Sequence, residues 1–256
     1  MDEVPIPTSD VAVRAAEAAA AYCSPALANH NQRSYLWSAA LGVREGLTFD
    51  AELLYVSAML HDLGLVTAYD NATLGFEVAG GHVGWMFAAG AGWPVERRVR
   101  VAEVVERHMW DSVDPVADAE GYLLEAGTGL DISGRDPDRW APTLRAAVMA
   151  AYPRLDLRTE FVACFEDQAR RKPSSLAGRP SAPASPTGWR RTCWRPRRPA
   201  DTGASVRPNG RIRPFRLMSG TGPADNVTCG RRVSSSGRMT GRCEPGHPCA
   251  PTSPPR

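Results

Sequence analysis

Apolar residues recur at helical spacing from residue 9 to residue 171, with little room for strands between them. The predicted helices cover residues 9–22, 25–45, 50–63, 76–89, 94–110, 116–126 and 156–171, with a further start at Asp136 and Pro137. Ser9 and Ser24 are suitable N-caps, and Gly46 and Gly64 are suitable terminators. Only an all-α architecture fits this pattern.

Charge divides the chain into two parts. Residues 1–172 hold 15 basic and 25 acidic side chains, whereas residues 173–256 hold 15 arginines and three acidic residues. The second part is rich in proline and contains few Leu, Ile, Val or Phe residues, so it cannot form a core. We therefore expect a folded domain over 1–172 and a disordered, Arg/Pro/Gly/Ser-rich tail over 173–256.

A basic tail raises the possibility of nucleic-acid binding, but its arginines lack aromatic interleaving and any repeat. The single lysine in the chain suggests a GC-rich gene, in which a shifted reading frame also encodes such a tail. We favour a shifted reading frame as the origin of the tail over nucleic-acid binding. The expected partner is a small-molecule substrate, and the formation of a homo-oligomer is left open. The acidic N-terminus, the absence of an apolar run near ~18 residues and the lack of a cysteine framework predict a cytoplasmic protein.

Several ionisable residues lie on apolar helix faces. His61 and Asp62 end the core-like stretch LLYVSAMLHDLGL, and His30, His108 and Asp131 lie at inward helical positions. Any one histidine alone is more often a satisfied core residue. Burying several such groups without partners costs several kcal/mol. A divalent cation would satisfy them together, since imidazole nitrogens and carboxylate oxygens form a mixed site.

The segments that carry these residues resemble a known superfamily. They are NHNQRSYLW, ELLYVSAMLHDLGL, GFEVAGG, VVERHMW, LEAGTGLDISG and AAYPRLDLRTEF. Together they resemble the HD-domain superfamily of helical metal-dependent hydrolases, and within it the cyanamide-hydratase-like branch. The resemblance implies a divalent cation, with zinc favoured over iron, manganese or nickel. It also implies the metal ligands His30, His61, Asp62 and Asp131.

Further residues receive catalytic roles by the same resemblance or by position. His108 matches a position that lines the site and binds or polarises substrate, and Arg33 and Glu77 lie in recurrent segments. Thr67 follows the His-Asp pair and is predicted to orient water or substrate, whereas His82 is interpreted as a surface histidine. The predicted pocket for a small neutral substrate is lined by Trp37, Leu41, Phe76 and Trp85.

Three functions stay open at this point. The first is a hydratase or hydrolase that adds water to cyanamide or to another small nitrile- or amide-like compound. The second is an HD-type phosphohydrolase, which requires a basic clamp for phosphate, with Arg33, Arg97 and Arg98 as candidates. The third is a non-catalytic or decayed helical module, which the unusual tail would suit.

Overall fold

The computed structural model describes residues 4–179, in which the regular elements are helices only. The prediction of an all-α fold is therefore confirmed. The α-helices are α1 (Asp10–Tyr22), α2 (Pro25–Glu45), α3 (Ala51–Leu60), α4 (Phe76–Gly90), α5 (Val95–Arg107), α6 (Ala119–Ser133), α7 (Pro142–Ala151) and α8 (Leu157–Arg171). Short 3-10 turns occur at Leu63–Leu65, Pro137–Arg139 and Leu176–Gly178.

Local capping explains the ends of the first two helices. The Ser9 hydroxyl accepts from the backbone N–H of Ala12, and Ser24 accepts from Leu27. α2 ends at Gly46, which has the left-handed conformation (φ 67°) that favours glycine. These signals lie within one turn of each helix end, and the boundaries agree with the prediction within one residue.

Several predicted boundaries differ from the structure. α3 ends at Leu60 rather than at residue 63, and α5 ends at Arg107 rather than at residue 110. α6 runs from Ala119 to Ser133 rather than over 116–126, because the Asp118 carboxylate accepts the N–H of Gly121 and left-handed Gly134 closes the helix. The predicted start at Asp136 produces only the 3-10 turn Pro137–Arg139, and α7 begins at Pro142. The longer α6 carries Asp131 inside the helix rather than in a following loop.

The longest helix, α2, lies at the centre and packs against α3 and α6, and α4 packs along α5. A large apolar cluster joins side chains of α1, α2, α3, α5 and α6. A second, smaller cluster brings Phe161 and Phe165 of α8 against Leu27 of α2 and Phe76 of α4. The functional site described below borders this second cluster.

The described structure extends past residue 172, where the folded domain was predicted to end. The buried Lys172 ammonium donates to Asp70 (Nζ to Oδ1 2.7 Å), and Ala177 in the last 3-10 turn is buried in the second cluster. The predicted disordered tail lies outside the described residues from position 180 onward. Over residues 4–179, no helix combines the length and the hydropathy needed to cross a bilayer.

Candidate functional site

Three buried side chains converge on one point between α2 and the end of α3. His30 Nε2 and His61 Nε2 lie 3.2 Å apart, and each lies 3.3 Å from Asp62 Oδ2. All three residues are at most 1% exposed. The three atoms thus form a nearly equilateral triangle in the interior, as predicted for three of the four ligand residues.

The backbone positions this triangle through a tight approach after α3. His61 caps α3, and Asp62 begins the turn that leads into Leu63–Leu65. A side chain on Gly64 would clash with the backbone carbonyl of Phe76, the first residue of α4. Glycine at position 64 therefore lets α4 close against the turn, which directs His61 and Asp62 toward α2.

Hydrogen bonds determine which ring nitrogens face the centre. His61 Nδ1 lies 2.7 Å from the carbonyl oxygen of Ala58, and His30 Nδ1 lies 2.7 Å from Asp131 Oδ2. Both partners are acceptors, so each Nδ1 carries a proton, and each Nε2 of a neutral ring presents a lone pair. Two lone pairs and a carboxylate oxygen thus face one another without a donor.

The electrostatics of the centre favour a positive charge there. Asp62 Oδ2 is buried and lacks a hydrogen-bond partner in the described structure. Burial alone would raise the pKa of Asp62, but His61 and His30 outweigh it and lower the pKa below its usual value. Burial alone would lower the pKa of His30, but Asp131 and Asp62 raise it. The carboxylates therefore favour positive charge at this point, and the three residues could hold a metal ion.

The triangle fits a divalent cation. In a tetrahedral zinc site with bonds of about 2.0–2.1 Å, neighbouring ligand atoms lie roughly 3.3 Å apart. The observed separations are 3.2–3.3 Å, and the donor set of two imidazoles and one carboxylate suits zinc and other first-row metals. His30, His61 and Asp62 are therefore able to hold such an ion, whose identity this geometry does not select.

Asp131, the fourth predicted ligand, lies behind His30 instead of in the triangle. Its Oδ2 accepts from His30 Nδ1 and Arg33 Nη2, and its Oδ1 accepts from Arg33 Nε (2.8 Å) and Trp37 Nε1 (3.0 Å). Burial would raise the pKa of Asp131, but the Arg33 guanidinium and His30 hold it well below its usual value. In this structure Asp131 orients His30, as carboxylates behind metal-binding histidines commonly do.

Arg33, predicted to be catalytic, lies behind Asp131 rather than beside the cavity. Its side chain is fully buried, pairs with both oxygens of Asp131, and donates from Nη1 to the carbonyls of Tyr152 (3.0 Å) and Pro153 (3.2 Å). It does not line the cavity beside the triangle. The physical reason is that its donors are used to fix Asp131 and the end of α7.

His108 approaches the centre from the end of α5. Its Nε2 lies 3.9 Å from Asp62 Oδ1, and its Nδ1 donates to the carbonyl of Val105, so its Nε2 also presents a lone pair. Burial and the nearby His61 lower the pKa of His108 to about 3. His108 lines the cavity as a neutral imidazole whose Nε2 can accept a hydrogen bond.

A small cavity of about 60 Å³ opens beside the triangle. Its walls come from the three converging side chains, the end of α5, one face of α6 and the start of α8. The residues besides the triangle are His108, Met109, Trp110, Glu125, Thr128, Gly129, Ile132, Ser133, Arg135, Phe161 and Phe165. A bound water needs roughly 10–15 Å³ of such space. The cavity thus suits a few waters or a ligand of a few heavy atoms.

Several predicted site residues lie elsewhere. Thr67 is exposed beyond the 3-10 turn, because the chain turns outward after Leu65. Glu77 is buried at the start of α4, where burial raises the pKa of its carboxyl, but it does not line the cavity. His82 is exposed on α4. Neither Thr67 nor Glu77 is brought to the triangle.

The predicted pocket and phosphate clamp also need correction. Trp37, Leu41, Phe76 and Trp85 do not line the cavity. Trp37 and Leu41 face the large core, and Arg98 lies over the Trp85 ring. The three predicted clamp arginines do not line it either. Arg97 pairs with Asp50 and Glu52 at the start of α3, whereas His61 lies at the other end of that helix.

The cavity walls were missed by the sequence analysis. Glu125, Thr128 and Ile132 follow the helical spacing i, i+3, i+7 on α6, next to the face that carries Asp131. Phe161 and Phe165 are one turn apart on α8 and stack with ring centroids 5.4 Å apart. Both spacings are visible in the sequence. They indicate helix faces, but not that the two faces meet.

Comparison with known proteins supports a distant relationship. No protein-family model matches the chain. The cyanamide hydratases DDI2 and DDI3 of Saccharomyces cerevisiae (strain ATCC 204508 / S288c) are each 28% identical to it over 175 residues, which is 66% of this chain and 77% of each relative. Membership of the HD-domain superfamily stays a prediction. The chain is thus cyanamide-hydratase-like, and this similarity supports an enzyme of the hydratase kind.

Proposed function

We propose that this protein is a metal-dependent hydratase that adds water to cyanamide or to a similarly small nitrile- or amide-like compound. The observation that carries the proposal is the buried triangle of His30 Nε2, His61 Nε2 and Asp62 Oδ2, in which three acceptors face one another without a donor. The similarity to two yeast cyanamide hydratases supports the choice of substrate.

Each residue of the site has a defined part in this proposal. His30, His61 and Asp62 hold a divalent cation, with zinc favoured, which supplies Lewis acidity and lowers the pKa of water. Asp131 keeps the proton on His30 Nδ1, so Nε2 stays a ligand. His108, neutral at pH 7 because its pKa is lowered to about 3, accepts a hydrogen bond at Nε2 from water and so positions a proton for transfer to substrate nitrogen.

The reaction balances without a further reactant. Water oxygen forms a bond to the nitrile carbon of cyanamide while one carbon–nitrogen π bond breaks. One water proton moves to the nitrile nitrogen, and a second proton shift from oxygen to nitrogen gives urea. His108 Nε2 lies 3.9 Å from Asp62 Oδ1 and presents an acceptor beside the path of this transfer.

The size of the cavity favours this substrate over a nucleotide. Cyanamide has three heavy atoms, which suits a cavity of about 60 Å³. A phosphate ester would need cationic side chains, but the candidates Arg33, Arg97 and Arg98 do not line the cavity. Arg135 does line it, and its guanidinium is paired with Glu125.

Metal analysis and a urea assay on the full-length protein test the proposal. We expect about one divalent ion per chain and urea formation from cyanamide, both lost in His61→Ala and Asp62→Ala. His82→Ala is the matched control, because His82 is an exposed histidine outside the cavity, and it should retain both. A metal-free protein, or equal rates in wild type and His61→Ala, would refute the proposal. Turnover of phosphate esters alone would favour a phosphohydrolase.

A further inference from the structure

The cavity has a second polar feature besides the triangle. Glu125 and Arg135 both line it, and Arg135 Nη2 donates to the Glu125 carboxylate Oε1 and to the Glu125 backbone carbonyl (3.2 Å). The side chain of Glu125 is 8% exposed and that of Arg135 is 40% exposed. The carboxylate is therefore the inner member of the pair, and the guanidinium faces solvent.

The fold is shaped to hold this pair. Arg135 follows α6 and turns back over the helix, where its guanidinium lies against Gly129. A Cβ at position 129 would overlap the Arg135 guanidinium, so glycine makes room for it. Glu125 and Gly129 are one helical turn apart on the cavity face of α6. The arrangement thus depends on three residues, and two of them contribute charge.

Burial makes the carboxylate costly, which argues against a merely structural role. Burial raises the pKa of Glu125, and Arg135 only partly offsets this. A half-exposed ion pair contributes little to stability, about 0–1 kcal/mol. α6 is already closed by left-handed Gly134 and its backbone hydrogen bonds. Neither the helix end nor the ion pair accounts for a buried carboxylate at this position.

The remaining walls define which ligand the pair can bind. Met109, Ile132, Phe161 and Phe165 make the rest of the cavity largely apolar. The Thr128 hydroxyl donates to the carbonyls of Leu124 (2.9 Å) and Glu125 (3.1 Å) within its own helix. An ionised carboxylate accepts hydrogen bonds and cannot donate. A ligand in this cavity is therefore matched by Glu125 only if it carries an N–H or O–H donor.

We propose that Glu125, held by Arg135, binds an N–H group of the substrate and so selects small nitriles that carry an amino group over simple alkyl nitriles. This rests on the proposed hydratase function. Cyanamide carries its donor on the amino nitrogen and its negative dipole end on the nitrile nitrogen. The amino group faces Glu125, and the nitrile faces the His/Asp triangle. Charge thus orients the substrate as well as selecting it.

Acetonitrile is the probe for this selectivity, because it has the same three heavy atoms with methyl in place of amino. In the full-length wild-type protein we expect acetonitrile to inhibit cyanamide hydration only weakly. In Glu125→Leu, KM for cyanamide should rise roughly 10- to 100-fold, as expected for a lost hydrogen bond to a charged group, while the inhibition constant of acetonitrile stays within about twofold. Metal content should stay at the wild-type level.

Two variants separate binding from folding. Glu120→Gln is the matched control, since Glu120 lies in the first turn of α6, pairs with Arg100 and does not line the cavity, and it should leave KM unchanged. Gly129→Ala keeps both charged residues but displaces the guanidinium, so KM should rise in the same direction by a smaller factor. Circular dichroism verifies that each variant is folded.

The outcomes distinguish this inference from the function on which it rests. If wild type hydrates cyanamide, His61→Ala does not, and Glu125→Leu has an unchanged KM, the role of Glu125 is refuted and the hydratase stands. If Glu125→Leu weakens cyanamide and acetonitrile equally, Glu125 shapes the cavity and does not recognise an amino group. If wild type forms no urea from cyanamide, both proposals fail together.

Discussion

The Arg33–Asp131 pair allows a stability prediction with a defined magnitude. Both side chains are almost fully buried, and Arg33 makes two hydrogen bonds to the carboxylate and two to backbone carbonyls of Tyr152 and Pro153. Arg33→Met keeps an unbranched side chain but removes two of the four hydrogen bonds to the Asp131 carboxylate, which keeps those from His30 and Trp37 and the more distant charge of Arg154 (Nη1 to Oδ1 3.9 Å). Removing one partner of a buried ion pair costs about 3–5 kcal/mol.

Urea denaturation and thermal unfolding, both followed by circular dichroism at 222 nm, measure this loss. At roughly 2–4 °C per kcal/mol for a structured region of this size, the melting temperature should fall by about 6–20 °C. Arg170→Met is the control, because Arg170 pairs with Asp167 on the surface of α8 and is 75% exposed. Exposed pairs of this kind contribute about 0.2–1 kcal/mol, so the control should change little.

A double variant tests the physical reason. Asp131→Leu combined with Arg33→Met removes both charges, so the double variant should be less destabilised than the sum of the two single variants. Because Asp131 orients His30, each single variant should also weaken metal binding by roughly 10- to 100-fold. A loss below about 1 kcal/mol in Arg33→Met, or full additivity in the double variant, would refute this account of the pair.

Two further predictions concern how the helices that carry the site are held. Gly64→Ala places a methyl group against the Phe76 carbonyl, so it should destabilise the fold by about 1–3 kcal/mol. Gly90→Ala is the control, because Gly90 is an open position at the end of α4. In the same thermal unfolding experiment it should be neutral or stabilising. Burial would raise the pKa of Asp118, but hydrogen bonds from two α5 arginines hold it below its usual value. The ionised carboxylate therefore stabilises the fold above pH ~4, and this stabilisation is lost as the pH falls toward the lowered pKa. In Asp118→Asn the free energy of unfolding should change less with pH in this acidic range.

The helices were predictable wherever the signal is local. The cap at Ser24, Pro25 in the first turn and the glycine at 46 all lie within a few residues of the ends of α2, and the structure agrees at both ends. The end of α6 was predicted wrongly, because TGLDISG contains two glycines and reads as a loop. In the structure the helix continues through this segment to left-handed Gly134, and Gly127, just before it, lies close to α2: a Cβ there would be 2.8 Å from the Ser34 carbonyl.

The sequence alone determined which side chains could form the centre. His30, His61 and Asp62 are ionisable groups at inward positions of apolar helices, and burial without a shared partner is too costly for all of them. That argument needs only the helical period and the free energy of burying charge. It pointed to five residues, since His108 and Asp131 met the same condition, and the family resemblance then implied four of the five as ligands.

Only the tertiary structure decided what surrounds them. Asp131 was an equally plausible ligand by position, but Arg33 and Trp37 compete for its oxygens from across the bundle, which directs it to the back of His30. The cavity walls likewise require α6 and α8, which are separated by α7 and its flanking loops, to face each other. Periodicity is a local property of a helix, whereas the choice between competing partners depends on packing between distant segments, and so it is settled only when the chain folds.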